Sequence, residues 1–260
     1  MAGGSVLVER DGAIATVTLS SPGRLNALDK TMWAQLGAAM GTLGADESLR
    51  CIVLRGAGDK AFAAGADIAE FHTERANSAQ AKAYSQGGIG WMHAVAECRH
   101  PTVALIQGAC VGGGLLIASQ CDLRICNESA RFGVPVKNLG LTESYDELQA
   151  MMRVIGPAAS LEILLEGRIW AAREAYEKGL VSRVVADDKV VEEAYAAARR
   201  IAEGAPLVAR WHKKFIRRLL DPRPLTEAEY EEGYACFDTE DFKAGVAAFL
   251  AKKKAEFSGR

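Results

Sequence analysis

Apolar and polar positions alternate over residues 6–9 and 14–19, and Asp11-Gly12 between them predicts that the chain opens as a β-hairpin. The period then changes. Turn residues fill 21–26, and from Asp29 the residues Met32, Leu36, Met40 and Leu43 recur at helical spacing, which predicts a helix to about residue 43. A compact β-rich run at 51–55 closes on Gly56-Ala57-Gly58. A second round passes through residues 63–67 and a helical segment up to 96 to a strand at 102–107. A third runs from a helix beginning near Leu115 to a short strand at 123–126. Strands alternating with helices predict an α/β domain. From Pro157 the pattern is helix after helix, at 158–166, 171–178, 189–203, 207–220, 226–237 and 238–257, with only 181–185 extended. Pro206, Pro222 and Pro224 punctuate these helices without a flexible linker, so the tail is expected to pack on the body. Tyr230, Tyr234, Phe237, Phe242 and Phe249 make that tail either a helical cap or an oligomerisation surface.

At 260 residues with 49% apolar side chains, the chain can fill a large core without covalent staples. A formal net charge of −2 gives no general attraction to nucleic acid or to an anionic membrane. Cys51, Cys98, Cys110, Cys121, Cys126 and Cys236 show no CxxC spacing and lie mostly in apolar runs, the usage of a reducing, cytoplasmic compartment. No basic stretch followed by an apolar core begins the sequence, and no apolar run approaches about 20 residues, so neither a signal peptide nor a membrane span is expected. No His, Cys, Asp or Glu set has metal-ligand spacing, and Ser119 and Ser144 lack a nucleophile elbow.

The chemistry concentrates at two junctions. Ala63-Ala64-Gly65-Ala66-Asp67 and Cys110-Val111-Gly112-Gly113-Gly114 each follow an apparent strand and open an apparent helix. The first amides of a helix have no intrahelical partner, so two such junctions can hold developing negative charge on a ligand oxygen. Taken alone, the glycine triplet is equally a device for tight helix–strand packing. The second junction continues Leu115-Leu116, which cannot move a proton, so any acid or base must come from elsewhere.

Taken in order, Arg24-Leu25-Asn26-Ala27-Leu28, Lys60 to Ile68, Pro101 to Ala104, Gly112-Gly113-Gly114, Cys121-Asp122-Leu123, Ala130 to Gly133 and Lys254-Ala255-Glu256-Phe257 resemble the crotonase (enoyl-CoA hydratase/isomerase) superfamily over almost the whole chain. The resemblance implies a spiral of ββα units, residues 1–195, carrying an acyl-CoA site. It also implies a helical C-terminal domain, residues 196–260, that packs homotrimers or dimers of trimers. Coenzyme A would enter as part of the substrate, with no separate cofactor. The Ala66 and Gly113 amides would hold the thioester oxygen, and the loop at Arg24, Leu25 and Ala27 would lie along the CoA. Ala64 and Asp67 would stand near the adenine. Lys254 and Phe257 would approach from a neighbouring subunit or from the same chain's last helix, although Lys252-Lys253-Lys254 also reads as a solvated helix face.

The family pattern breaks where its hydratases carry two glutamates, because those positions here are Leu116 and Val136. Without them nothing at those points activates water, so an isomerase-like proton transfer is expected in place of hydration. Glu143 matches a position where naphthoate synthase-like members of the family carry a catalytic aspartate. A carboxyl group in an apolar acyl pocket has its pKa raised and suits proton transfer near neutral pH. Glu143 is therefore the candidate base, with the alternative that it caps the helix through 148–154, since Thr142 and the acidic residues after it resemble a helix start. Tyr145 and Asp146 are further candidates for substrate hydrogen bonding. The same oxyanion hole would also serve a thioester hydrolase or a dehalogenase-like enzyme, and a non-catalytic acyl-CoA-binding relative would tolerate Leu116 and Val136.

Overall fold

The computed structural model describes residues 3–260 and, within them, every side chain but those of residues 86–89. Strands β1 (Ser5–Asp11) and β2 (Ile14–Ser20) form the opening hairpin, and α1 (Lys30–Ala45) follows, capped by Asp29, whose side chain accepts from the Met32 amide. Three turns of one spiral come next. The first is β3 (Cys51–Gly56), β4 (Ala61–Ala63), a short helix α2 (Phe71–Glu74) and α3 (Ser78–Glu97). The second is β5 (Thr102–Ile106), β6 (Ala109–Val111) and α4 (Gly113–Gln120). The third is β7 (Leu123–Asn127), β8 (Arg131–Gly133) and α5 (Tyr145–Glu166).

In each turn the first strand joins a six-stranded sheet and the second joins a four-stranded one. The large sheet runs β1-β2-β3-β5-β7 and ends in β10 (Arg183–Val185); β1 and β2 are antiparallel and the other neighbours parallel. The small sheet runs β4-β6-β8 and ends in β9 (Trp170–Ala171), just ahead of α6 (Ala172–Glu177). This is the ββα spiral that the sequence leads one to expect. Parallel strands must be covered on both faces, which is why the runs at 51–54 and 103–106 are apolar throughout. Ile52, Leu54, Ala104 and Ile106 face the main core with Leu36, Met40 and Leu115. Cys51, Val53, Val103 and Leu105 face the other way, onto Ala194, Ala197 and Ala198 of α7 (Val190–Ala202). The expected division after residue 195 falls inside this continuous helix.

The tail holds α8 (Pro206–Arg218), α9 (Glu227–Glu232) and α10 (Glu240–Leu250). Two expected helices are shorter than their apolar pattern. The one placed at 226–237 ends at Glu232 and resumes as a 3-10 turn at Ala235–Asp238. The one placed at 238–257 stops at Leu250, Lys252 takes a left-handed φ of 55°, and the last residues fold back. Ser258 N donates to the buried Asp241 carboxylate at 2.7 Å, and Arg50 donates to the Phe257 carbonyl. α4 starts at Gly113, two residues before the expected Leu115, because the glycine triplet is itself the first turn.

α5 joins the segments expected at 148–154 and 158–166, and by length and mean hydropathy (1.3) it could cross a membrane, contrary to the expectation of no such run. It is, however, broken at Gly156 (φ 71°) ahead of Pro157. Each half is then roughly 15 Å long, against about 30 Å of bilayer hydrocarbon.

Candidate active site

The two junctions meet. Gly65 (φ 98°) approaches the second junction so closely that a Cβ there would stand 3.3 Å from the Gly113 nitrogen, and one on Gly113 would stand 3.6 Å from the Ala66 nitrogen. Neither the Ala66 nor the Gly113 amide has a hydrogen-bond acceptor among the described residues, although both are held by neighbours that do. Leu28 N donates to Gly65 O and Asp67 N to Leu28 O, each at 2.8 Å, while Gly112 N donates to Gly133 O at 2.8 Å. Two preorganised, unpaired donors side by side are what an oxyanion hole requires.

The hole opens into a cleft of about 890 Å³, open solvent included, which Ala64, Ala66, Gly113, Leu116, Val136 and Glu143 all line. The structure thus brings together the expected amide pair, the expected carboxyl and the two apolar replacements. Arg24, Leu25 and Ala27 are not among the residues that line the cleft, but their loop is joined to the lining residue Ala64, whose N donates to Leu25 O at 3.0 Å. Leu25 and Asn26 sit at φ 50° and 57°, and Asn26 Nδ2 locks that left-handed turn by donating to Ala57 O and Ala61 O at 3.0 and 2.8 Å. Arg24 pairs with Asp67, whose other oxygen accepts from Ala69 N at 3.1 Å. Asp67 is therefore engaged in holding the loop, and Leu25 is left half exposed beside the cleft.

Other expected site residues lie elsewhere, among them Asp146, exposed on the first turn of α5. Tyr145 is 91% exposed and outside the cleft, because as the first residue of α5 it points away from the capped end. Lys254 pairs with Glu203 at 3.1 Å, and Phe257 lines a separate apolar hollow with Val208, Phe242 and Phe249. The early end of α10 and the folded-back tail leave both outside the cleft lining.

Glu143 is not the helix cap. Ser144 is: its side chain accepts from Glu147 N at 3.4 Å, and its own N and Oγ both donate to Glu147 Oε2 at 2.7 Å. Glu143 is thereby left to face the cleft. Burial raises its pKa to about 8, with help from the nearby Glu147 charge and a hydrogen bond between the two carboxyls, against a weaker opposing pull from Arg75. Half of its protons are still bound above neutral pH, the poise of a proton carrier.

Sequence reasoning missed the rest of the wall. Trp33 and Trp91 stack at 4.4 Å beside Gly113, and the Arg75 guanidinium lies 4.8 Å from the Phe71 ring and 4.0 Å from the Tyr84 ring. Arg75 Nε is buried without a hydrogen-bond partner among the described residues. Glu147 was legible: Ser144-Tyr145-Asp146-Glu147 is a capping box, two residues later than the start read at Thr142. Nothing in the sequence pairs Arg75 with Glu143, 68 positions away by subtraction of their numbers.

A ββα spiral with paired helix-start amides over an apolar cleft is the architecture of one enzyme family. The family model described as Enoyl-CoA hydratase/isomerase matches residues 9–260, and the chain belongs to that family. It is 39% identical over 263 residues to a Rhizobium meliloti protein named "Probable enoyl-CoA hydratase", covering 98% of each chain. To the "Short-chain-enoyl-CoA hydratase" of Clostridium acetobutylicum it is 32% identical over 254 residues, covering 97% of each. Among solved structures, an enoyl-CoA hydratase/carnithine racemase from Magnetospirillum magneticum superposes with a TM-score of 0.97 at 52% identity, covering 98% of this chain and 96% of that one.

Proposed function

We propose that the protein moves a proton within an acyl-CoA thioester, as in double-bond isomerisation, with Glu143 as the proton carrier and the Ala66 and Gly113 amides holding the enolate oxygen. The observation that carries this reading is the single cleft holding those amides and Glu143 while Leu116 and Val136 make its flanks apolar. Negative charge grows on the thioester oxygen as a proton leaves the adjacent carbon, and two unpaired amides meet it there. Arg24, Leu25, Ala27, Ala64 and Asp67 form the edge along which the CoA lies.

The exposed Tyr230, Tyr234, Phe237 and Phe249, the last 82% exposed, support a homotrimer or a dimer of trimers in which Lys254 and Phe257 reach a neighbouring subunit's site. Five buried free thiols support a reducing, cytoplasmic setting, with no nucleic acid, membrane or separate cofactor needed for the reaction.

Hydration is the second reading, favoured by the names of the relatives, and it requires Glu143 and Glu147 to take over from the positions now Leu116 and Val136. Incubation with 2-enoyl- and 3-enoyl-CoA esters in heavy water, followed by mass spectrometry, separates the two. Deuterium exchange and double-bond migration without added water are expected. Water addition to crotonyl-CoA at about 10 turnovers per second, an ordinary enzymatic rate, would overturn the isomerase reading.

A further inference from the structure

Glu147 lines the cleft next to Glu143, and the proton-transfer scheme so far gives it no part. Its placement is unusually firm. Glu147 is the third residue of α5, and its Oε2 accepts from both Ser144 N and Ser144 Oγ at 2.7 Å, so one carboxylate oxygen is spoken for as an acceptor at a helix start that favours negative charge. Glu143, four positions earlier in the chain, lines the same cleft, and the Glu147 side chain is among the causes that raise its pKa. Like charges on two carboxyls lining one cleft oppose ionisation of Glu143. The other titratable groups lining the cleft are Arg75, between α2 and α3, and Tyr84, on α3. Arg75 favours an ionised Glu143, but its guanidinium is held on the Phe71 and Tyr84 rings and its influence ranks below burial and Glu147.

We propose that Glu147 is a positioning residue that makes Glu143 a stronger base, its Ser144-pinned carboxylate opposing the charge on ionised Glu143 and receiving a hydrogen bond from Glu143 once that group carries a proton. This rests on the reading of Glu143 as the proton carrier. In the reaction, the C–H bond beside the thioester carbonyl breaks, its electron pair passes into the enolate held by the Ala66 and Gly113 amides, and the proton goes to Glu143. Taking up that proton removes the repulsion from Glu147 and gains the hydrogen bond. The proton then returns to the distal carbon as the enolate pair closes the new C–H bond, and Glu143 is ionised again. No oxidant or co-reactant is needed.

The test is Glu147→Gln, with Glu147→Asp as the variant that keeps both charge and cap, and Glu143→Gln to assign the signal. Infrared difference titration of the protonated carboxyl band reads Glu143 without turnover. The wild-type midpoint is expected at about 8. In Glu147→Gln it falls by about one pH unit or more, because the repelling charge is gone and an amide proton is available to the Glu143 carboxylate. Glu147→Asp restores it, which a folding defect at α5 would not allow. The alkaline-going limb of the pH–rate profile moves down in step with the midpoint. If Glu143→Gln abolishes turnover while Glu147→Gln leaves the midpoint in place, the base stands and the role of Glu147 is overturned. If Glu147→Gln moves the midpoint but Glu143→Gln turns over normally, the base assignment fails and this proposal falls with it.

Discussion

At the scale of single residues, two substitutions test the proposed chemistry of the cleft. Replacing Glu143 by Gln keeps shape and hydrogen-bonding capacity but removes the transferable proton, so turnover should fall by about 100-fold or more with CoA-ester affinity retained. Steady-state kinetics beside calorimetric binding checks this, and an unchanged rate would count against the assignment. Gly114 governs the other half of the site. A Cβ there would stand 2.3 Å from the carbonyl oxygen of Ala63, which is backbone and cannot step aside. Gly114→Ala should therefore push α4 off β4 and carry the Gly113 amide with it. The loss expected for one oxyanion donor is about 2.7–4 kcal/mol of transition-state stabilisation, appearing in kcat more than in KM. Both residues were legible in the sequence, Gly114 through the triplet and Glu143 through its match to a family position. Arg75, Tyr84 and Trp91 were not, because they reach the cleft from elements distant in sequence and carry no local pattern.

At the scale of elements, the long and strongly periodic segments were readable and the short ones were not. The hairpin, α1 and the apolar strands at 51–56 and 102–106 announce themselves by period and capping. β4, β6, β8 and β9 have only two or three residues each, too few for any period to show, yet β4 and β6 lead into the two junctions. The over-long helix at 238–257 has a different cause: its apolar residues continue past Leu250, but Phe257 is used by a tail that folds back.

The docking of α8 depends on a charge that sequence pattern could not place. Asp122, next to β7, accepts from Thr102 N and Oγ1 at 2.8 and 2.9 Å, and pairs with Lys213 at 2.7 Å and Arg217 at 2.8 Å. The Lys213 side chain is only 8% exposed, so it has little water to fall back on. Breaking a buried pair from one side costs about 3–5 kcal/mol, and Asp122→Ala should show a loss of that size in urea unfolding. Asp122→Asn keeps an acceptor for Thr102 and should lose less. Equal, small losses in both would mean that α8 is held by its apolar contacts alone.

For the whole molecule, two strongly displaced titrations act on stability with opposite signs. His100 is fully buried, and burial, aided by the Arg210 and Arg99 charges, lowers its pKa to about 4 from 6.5 against a weaker raising effect of a hydrogen bond with the Asp46 backbone. The unfolded chain then binds more protons over that range, so this stability is complete above pH 6.5 and is lost as the pH falls towards 4, on the order of 3 kcal/mol in all. Glu143 works the other way. With its pKa raised from 4.5 to about 8, the folded state binds more protons, and its contribution is complete below pH 4.5 and lost as the pH rises through 8. Between pH 6.5 and 8 only Glu143 of this pair changes. Glu143→Gln should therefore be less active but more stable than the wild type at pH 9, by roughly 2–4 kcal/mol after allowing for the cleft's contact with solvent, and the two should converge near pH 5. His100→Leu should flatten the acid limb and leave the alkaline one intact. Urea midpoints at unit steps from pH 4 to 9 read all three curves, and parallel wild-type and Glu143→Gln curves would mean that ionising Glu143 does not strain the fold.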